Sequence, residues 1–244
     1  HTNKSGYETL ITAHDSAMEV AMFLRNAWYV GAWDHEVAGD KPFARVMLNE
    51  PVVFYRKRDG AVAALEDRCC HRHYPLHRGC VVNDNLECGY HGLQYDASGK
   101  CVRIPGQAVV PDTVRVRSYP VVEKYRWVWV WMGDPELADP ARITDFHWMD
   151  AEAWRAKGTV FHVQCGYELI IENLLDLSHL TFVHRSTIGN YATAEQAAVE
   201  VTRTDGEVPG RSGDRHRPGA AVTAAHRQVS AVGDLNIAAG RIGK

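Results

Sequence analysis

The chain has 244 residues, enough for one large domain or two small ones, and its 45% hydrophobic content is ample for a buried core. Its 27 basic and 30 acidic residues are well mixed and give a formal net charge of -3, which argues against nucleic acid or a strongly charged partner. The apolar stretches are far too short to cross a bilayer, and we expect no signal peptide near the start. These features predict a cytoplasmic protein that binds neither nucleic acid nor a membrane.

The first part of the chain is predicted to be an antiparallel β domain. Residues 1–21 show no strand or core pattern, so we expect an N-terminal extension there and a β domain over residues 22–150. Within this domain, short apolar runs alternate with turn residues at 52–55, 61–65, 100–104, 115–122 and 125–132. In the last run, tryptophans at alternate positions share one face and valines share the other.

After Pro140 the alternation of short apolar runs with turn residues ends, and we expect a second domain over residues 151–244. Residues 158–166 are predicted to form one strand and residues 167–185 one helix, in which leucines recur at three- and four-residue steps. Residues 192–244 are atypical, because every aromatic residue precedes them and their only leucine is Leu235. Such a segment cannot build a core of its own, so we expect it to be disordered or to belong to an incomplete domain.

A group of cysteines and histidines in residues 69–91 predicts a metal centre. Cys69 and His71 form one half, and Cys88 and His91 form the other, so each half offers one thiolate and one imidazole just after a probable strand. Two such loops at the tips of neighbouring hairpins can close around one [2Fe–2S] cluster, with the cysteines on one iron and the histidines on the other.

A zinc site and a chance arrangement are the two other interpretations of these loops. A zinc site uses the same ligand types but usually pairs cysteine with cysteine and histidine with histidine, whereas each half here is mixed. A chance arrangement would not account for the flanking glycines, which permit the tight backbone that such loops need; these are Gly79, Gly89 and Gly92. The other cysteines are predicted to be small core residues; these are Cys70, Cys80, Cys101 and Cys165.

A second group of polar residues lies on the predicted helix, at Asn173, Asp176, His179 and His184. Asp176 and His179 are three residues apart and can hydrogen-bond on one face. His179 and His184 would point about 140° apart on an ideal helix, so both can bind one metal only if the helix ends or bulges between them. Two histidines and a carboxylate can hold a ferrous ion with positions left for dioxygen and substrate. Alone, the histidines would be interpreted as structural; beside an electron-storing cluster, a mononuclear iron is favoured.

Three segments together resemble the Rieske non-haem iron oxygenases. They are Cys69-Cys-His71-Arg-x2-Pro75-Leu76, Leu86-x-Cys88-Gly-Tyr90-His91-Gly92-Leu93 and Asn173-Leu-Leu-Asp176-Leu-Ser-His179-x4-His184. The opening Phe23-Leu-Arg-Asn-Ala-Trp-Tyr-Val30 narrows the resemblance to oxygenase components of the vanillate and dicamba O-demethylase type, over residues 22–191. The resemblance implies an α+β protein: an all-β Rieske [2Fe–2S] domain of antiparallel sheets, then an incomplete α+β catalytic domain of the helix-grip type.

The resemblance also implies a mechanism. Electrons from NAD(P)H would pass through a ferredoxin or flavin reductase to the cluster, and then to a mononuclear Fe(II) held by His179 and His184. In a homotrimer, Asp176 would carry the electron between subunits, and Asn173 is a further candidate catalytic residue. Oxygenation of an aromatic compound would hydroxylate the ring or a methoxy carbon, and the latter reaction releases formaldehyde and a phenol.

The chain departs from the family pattern in two places. Cys70 stands where the family commonly has proline, at a position that is not a ligand. The family's third iron ligand, an aspartate, is not found, since the surroundings of the later aspartates do not match; these are Asp205, Asp214 and Asp234. We therefore expect full activity to need a longer C-terminus, or one in the natural reading frame. The rival interpretation is a Rieske ferredoxin-like electron carrier without catalytic iron, for which residues 173–184 would have no use.

Overall fold

The computed structural model describes residues 23–39, 41–156, 158, 161–175 and 179–186, and the segments 199–201, 210–212, 234–235 and 239–241. Short strands dominate this part of the chain. They are β1 Ala27–Trp33, β2 Phe43–Met47, β3 Glu50–Arg56, β4 Val62–Glu66, β5 Cys80–Val82, β6 Asn85–Glu87, β7 Gln94–Tyr95, β8 Cys101–Arg103, β9 Ser118–Tyr119, β10 Val121–Lys124, β11 Trp127–Met132, β12 Trp154–Ala156, β13 Phe161–His162, β14 Val199–Val201, β15 Gly210–Ser212, β16 Asp234–Leu235 and β17 Ala239–Arg241.

Helices are few and short in the described residues. The α-helices are α1 Tyr167–Leu175 and α2 Leu180–Val183, and the 3₁₀ helices are Leu76–Arg78, Pro135–Leu137, Pro140–Arg142 and His147–Met149. None of these described helices has the length and apolar character that a membrane span requires.

The strands form antiparallel sheets, as predicted. Two four-stranded sheets have the orders β2-β3-β4-β9 and β5-β6-β7-β8, and a three-stranded sheet has the order β1-β11-β10. The apolar runs predicted at 52–55 and 61–65 form a hairpin, in which β3 pairs with β4 from Val52–Glu66 to Arg56–Val62. Its turn ends at Gly60, whose φ of 87° lies in the left-handed region that glycine adopts without strain.

Strand β11 lies between two hydrophobic cores and contributes side chains to both. All six of its residues are buried, and because side chains alternate along a strand, they enter different cores. One core takes Trp127, Trp129 and Trp131, and the other takes Val128, Val130 and Met132. The predicted separation of tryptophans from valines is confirmed. A third core lies under the β5–β8 sheet and includes the two cysteines Cys69 and Cys88.

Three predicted elements differ from the structure. Residues 115–122 are not one strand: β9 pairs with β4 and β10 pairs with β11, and the chain changes sheets at Pro120, which has no N–H for a ladder. Within the described part of residues 158–166, only Phe161–His162 is a strand. The single helix predicted over 167–185 is wrong, since α1 ends at Leu175 and α2 begins at Leu180.

Candidate metal centre

The first cysteine–histidine loop follows β4 and is closed by two backbone hydrogen bonds around Cys69. The Cys69 N–H donates to the carbonyl of Tyr74 at 2.9 Å, and the Cys69 carbonyl accepts from the N–H of His73 at 2.9 Å. His73 has a φ of 54°, in the left-handed region, which turns the chain back toward the 3₁₀ helix Leu76–Arg78. The loop therefore presents His71 at its tip and keeps Cys69 at its base.

The second loop, between β6 and β7, repeats the same hydrogen-bond frame around Cys88. The Cys88 N–H donates to the carbonyl of Leu93 at 2.8 Å, and the Cys88 carbonyl accepts from the N–H of Gly92 at 2.9 Å. Gly92, four residues after the cysteine as His73 is in the first loop, has a φ of 71°. Two loops of the same construction thus present a cysteine at the base and a histidine near the tip.

Glycines let the chain segments beside these loops pack backbone against backbone. A Cβ atom added to Gly79 would lie 1.8 Å from the carbonyl oxygen of Glu87, and one added to Gly89 would lie 2.8 Å from the carbonyl oxygen of Arg78. No side chain larger than hydrogen fits at Gly79 without a shift of the backbone. The close packing expected from the glycines is confirmed.

The two thiols lie together on the buried side of the loops. Cys69 and Cys88 are 2% and 1% exposed, and the two thiols are close enough to interact. Burial raises the pKa of the Cys88 thiol, and the Cys69 thiol adds to that increase, while backbone N–H groups of Tyr90 and His91 act in the opposite direction. Amide donors directed at a buried sulfur suit a thiolate that is bound to a metal cation.

The two imidazoles lie together on the exposed side. The ring centroids of His71 and His91 are 4.6 Å apart at an interplanar angle of 60°, and both side chains are exposed. Among the described residues, no three histidine, cysteine or carboxylate side chains surround a single metal position. The donors are therefore divided into a thiol pair and an imidazole pair. This division fits two irons with two protein ligands each.

Tyr95 is a neighbour of the thiols that the sequence motifs did not single out. It lies in β7, is fully buried, and its hydroxyl is 3.1 Å from Sγ of Cys69 and 3.2 Å from Sγ of Cys70. The sequence offered one signal, the two-residue spacing of Leu93 and Tyr95. Side chains at this spacing share a face of extended chain, and both of these belong to the core that holds the two cysteines. The contact itself joins positions 26 residues apart and depends on the fold.

The prediction that the remaining cysteines are core residues is wrong for three of them. Cys70, Cys80 and Cys165 are exposed, and only Cys101 is buried. Cys70 lies at the turn of the first loop, where the chain is at the surface, and Cys80 begins the edge strand β5. All six cysteines are free.

The histidines of the second predicted group also come together. His179 precedes α2 and His184 follows it, and their ring centroids are 5.4 Å apart at an interplanar angle of 63°. Helix α2 ends at Val183, between the two histidines, so they are not held at the 140° separation that a continuous helix would impose. The condition that the sequence analysis set for a shared metal, a helix that ends between the two histidines, is met.

The other residues of this group are not brought to the histidine pair by the described part of the chain. Asn173 lies on an exposed face of α1. Asp176, the predicted electron bridge, lies outside the described residues, as do Asp205 and Asp214. The third carboxylate ligand stays unassigned.

Two family models match the chain. A Rieske [2Fe–2S] domain matches residues 27–120, and the C-terminal domain of vanillate O-demethylase oxygenase matches residues 163–235. The first match contains both cysteine–histidine loops, and the second contains both histidines of the α2 pair.

Known proteins with the same pair of regions resemble the chain closely. The iron–sulfur subunit of the toluene-4-sulfonate monooxygenase system of Comamonas testosteroni is 49% identical over 76% of the chain and 53% of its own length. The oxygenase component of dicamba O-demethylase of Stenotrophomonas maltophilia is 46% identical over 76% of the chain and 55% of its own length. A crystal structure of dicamba monooxygenase bound to dicamba has a TM-score of 0.69 and 43% identity, over 78% of this chain and 59% of that one. The chain spans about half the length of these curated relatives.

Proposed function

Since the chain belongs to the family of Rieske oxygenase components that includes the vanillate and dicamba O-demethylases, we propose that it acts in a terminal monooxygenase. In this proposal it uses O2 and electrons from NAD(P)H, delivered by a flavin reductase or a ferredoxin, to hydroxylate or O-demethylate a vanillate-like aromatic compound. The family relation predicted from the motifs is confirmed, and the predicted cofactor classes, a [2Fe–2S] cluster and a non-haem iron, are those of the family.

The paired arrangement of thiols and imidazoles is the observation that carries the proposal. Cys69 and Cys88 would hold the buried iron of the cluster, and His71 and His91 would hold the exposed iron. When bound, the cluster and the mononuclear iron supply one-electron transfer and dioxygen activation. Because neutral imidazoles replace two thiolates, this ligand set gives a higher reduction potential than four cysteines would. The exposed imidazole edge supports electron exchange with a partner at the tips of the loops.

His179 and His184 are proposed as ligands of the mononuclear iron. Their side chains meet across α2, a single turn of helix, with 5.4 Å between ring centroids. Asp176 is proposed to link the imidazole of His91 in one subunit to His179 in the next, which requires a ring-shaped assembly, and we propose a homotrimer. Asn173 is proposed as a supporting residue of the same site. Use of NAD(P)H-derived electrons also agrees with a cytoplasmic location.

The rival function, an electron carrier without catalytic iron, explains less of the chain. A carrier needs the two cysteine–histidine loops but has no use for a second pair of histidines that approach each other across the single turn of helix α2. The match of residues 163–235 to an oxygenase domain supports the same preference.

A His179→Ala variant tests the proposed function. We expect it to keep the visible and EPR spectra of the cluster and to bind about one iron fewer per chain. His35→Ala is the matched control, because His35 is an exposed histidine with a neighbouring carboxylate, Asp34, far along the chain from either motif. An iron content in His179→Ala equal to that of the control would contradict the proposal.

A further inference from the structure

A surface cavity of about 420 Å³ lies beside the first metal loop, and three arginines line it: Arg68, Arg115 and Arg117. One carboxylate, that of Glu66, also belongs to the lining. The three arginine side chains are exposed, so their guanidinium groups are open to a ligand that arrives from solvent. The volume is within the range of small-ligand sites. The cavity therefore combines concentrated positive charge with room for a small anion.

Pairing between two chain segments brings these side chains together. The backbone N–H of Glu66 donates to the carbonyl of Arg117 at 2.8 Å, so the end of β4 lies beside the segment that precedes β9. Arg115 and Arg117 share the exposed face of that segment, because Val116 between them is buried in the core. Arg117 is held in place by an ion pair with Glu50 at 3.0 Å.

The other two arginines have no carboxylate partner in the described part of the chain. Arg68 donates to Nδ1 of His73 at 3.0 Å, and Arg115 donates to the carbonyl of Ser98 at 3.3 Å. Both acceptors are neutral, since a guanidinium can only donate and the imidazole nitrogen must supply a lone pair. Two guanidinium charges at the cavity are thus not neutralised by an ion pair. Guanidinium groups bind oxyanions well, because their N–H donors match two oxygens at once.

The carboxylate of Glu66 restricts which oxyanion suits this cavity. An anion without a proton is repelled by the carboxylate, whereas an oxyanion that keeps a proton can donate its O–H to it. At neutral pH inorganic phosphate keeps at least one proton and sulfate keeps none. We propose that the cavity binds inorganic phosphate, with Arg68 and Arg115 as donors and Glu66 as the acceptor that selects against sulfate. None of these three residues is a ligand in the proposed function, so the two proposals stand independently.

Isothermal titration calorimetry of the purified chain, with sodium phosphate and with sodium sulfate at matched pH and ionic strength, tests the proposal. We expect phosphate to bind at least about tenfold more tightly than sulfate, and Arg115→Gln to weaken phosphate binding about tenfold, because a charged donor is lost. Arg58→Gln is the matched control. Arg58 is also exposed and donates to a neutral oxygen, Oδ1 of Asn83 at 2.8 Å, but it lies outside the described lining of the cavity.

Glu66→Gln tests the selectivity separately from the affinity. An amide can donate as well as accept, so we expect this variant to bind sulfate nearly as tightly as phosphate. The proposal is overturned if the wild type shows no saturable phosphate binding, or binds sulfate equally well, or if Arg115→Gln and Arg58→Gln bind phosphate alike. Tighter binding of methyl phosphate, or binding of a polyglutamate peptide without binding of phosphate, would also overturn it, because the ligand would then be a phosphate ester or an acidic protein.

Discussion

At the residue scale, Asp67 is a buried carboxylate that ties the first metal loop to the rest of the domain. It is 8% exposed, accepts a hydrogen bond from the backbone N–H of His77 at 2.7 Å, and contacts Nδ1 of the same residue. Its own N–H donates to the carbonyl of Pro51 at 2.9 Å. Asp67 therefore joins the start of β3, through its backbone, to the 3₁₀ helix that closes the loop of Cys69, through its side chain.

Removal of this carboxylate is expected to destabilise the domain. In Asp67→Ala the partly buried N–H of His77 loses its acceptor, and the loss of such a hydrogen bond costs about 1 kcal/mol. The measurement is the free energy of unfolding from urea denaturation. Asp112→Ala is the control, since Asp112 pairs with Lys100 at a fully exposed position. We expect that control to unfold at the wild-type midpoint, and equal midpoints for all three proteins would contradict the assigned role.

At the element scale, the two metal loops depend on how closely the segments beside them approach. The 3₁₀ helix Leu76–Arg78 ends at Gly79, which lies against the carbonyl of Glu87 at the end of β6. This contact joins the end of the first loop to the start of the second. The spacing between the two metal loops therefore rests on two short elements and one glycine.

Gly79→Ala tests this dependence. The new Cβ atom would lie 1.8 Å from a backbone oxygen, which cannot rotate away, so the segments must separate. We expect the purified variant to contain much less iron and acid-labile sulfide per chain than the wild type. Gly166→Ala is the matched control, because the nearest atom to its Cβ is a Glu168 carboxylate oxygen at 3.3 Å on a flexible side chain. Wild-type iron and sulfide in Gly79→Ala would show that the close approach is not required.

At the scale of the whole molecule, buried tyrosines make the free energy of unfolding depend on pH. Burial is the first cause that raises the pKa of each of four tyrosines; these are Tyr29, Tyr55, Tyr95 and Tyr119. Tyr29 lies in β1 and donates its hydroxyl proton to the carbonyl of Leu24. Burial raises the pKa of Tyr29 to about 12. In the unfolded chain a tyrosine titrates near pH 10.

We expect the free energy of unfolding to fall as the pH rises from about 10 to about 12. Below pH 10 the Tyr29 hydroxyl is protonated in both states and its contribution is fully present. Between about pH 10 and 12 the unfolded chain releases a proton that the folded chain retains, so the free energy of unfolding falls as pH rises. Denaturation curves at several pH values should show a shallower fall for Tyr29→Phe than for the wild type. Identical slopes would contradict a raised pKa for Tyr29.

Structural features that depend on residues close together in the chain could be predicted from the sequence. Alternation predicted the two faces of β11, and turn residues predicted the β3–β4 hairpin, because both depend on local backbone geometry. The mixed spacing of Cys69 with His71, and of Cys88 with His91, predicted the loop pairs that the structure brings together.

Contacts between distant segments could not be predicted in this way. The leucine period continues through residues 175–180, so it could not reveal the end of α1, which tertiary packing decides. The Tyr95 hydroxyl reaches Cys69 only because β7 and the first loop share a core. Pro120 was visible in the sequence, yet its effect, a change of sheet between β9 and β10, required the pairing of both strands.

The ligand set of the cluster can be measured directly by pulsed EPR of the dithionite-reduced protein, purified anaerobically. We predict a [2Fe–2S] signal with hyperfine coupling to two imidazole nitrogens, and loss of one coupling in a His71→Cys variant that keeps a cluster. A colourless protein that contains zinc, or a cluster signal without nitrogen coupling, would contradict a centre built from Cys69, His71, Cys88 and His91.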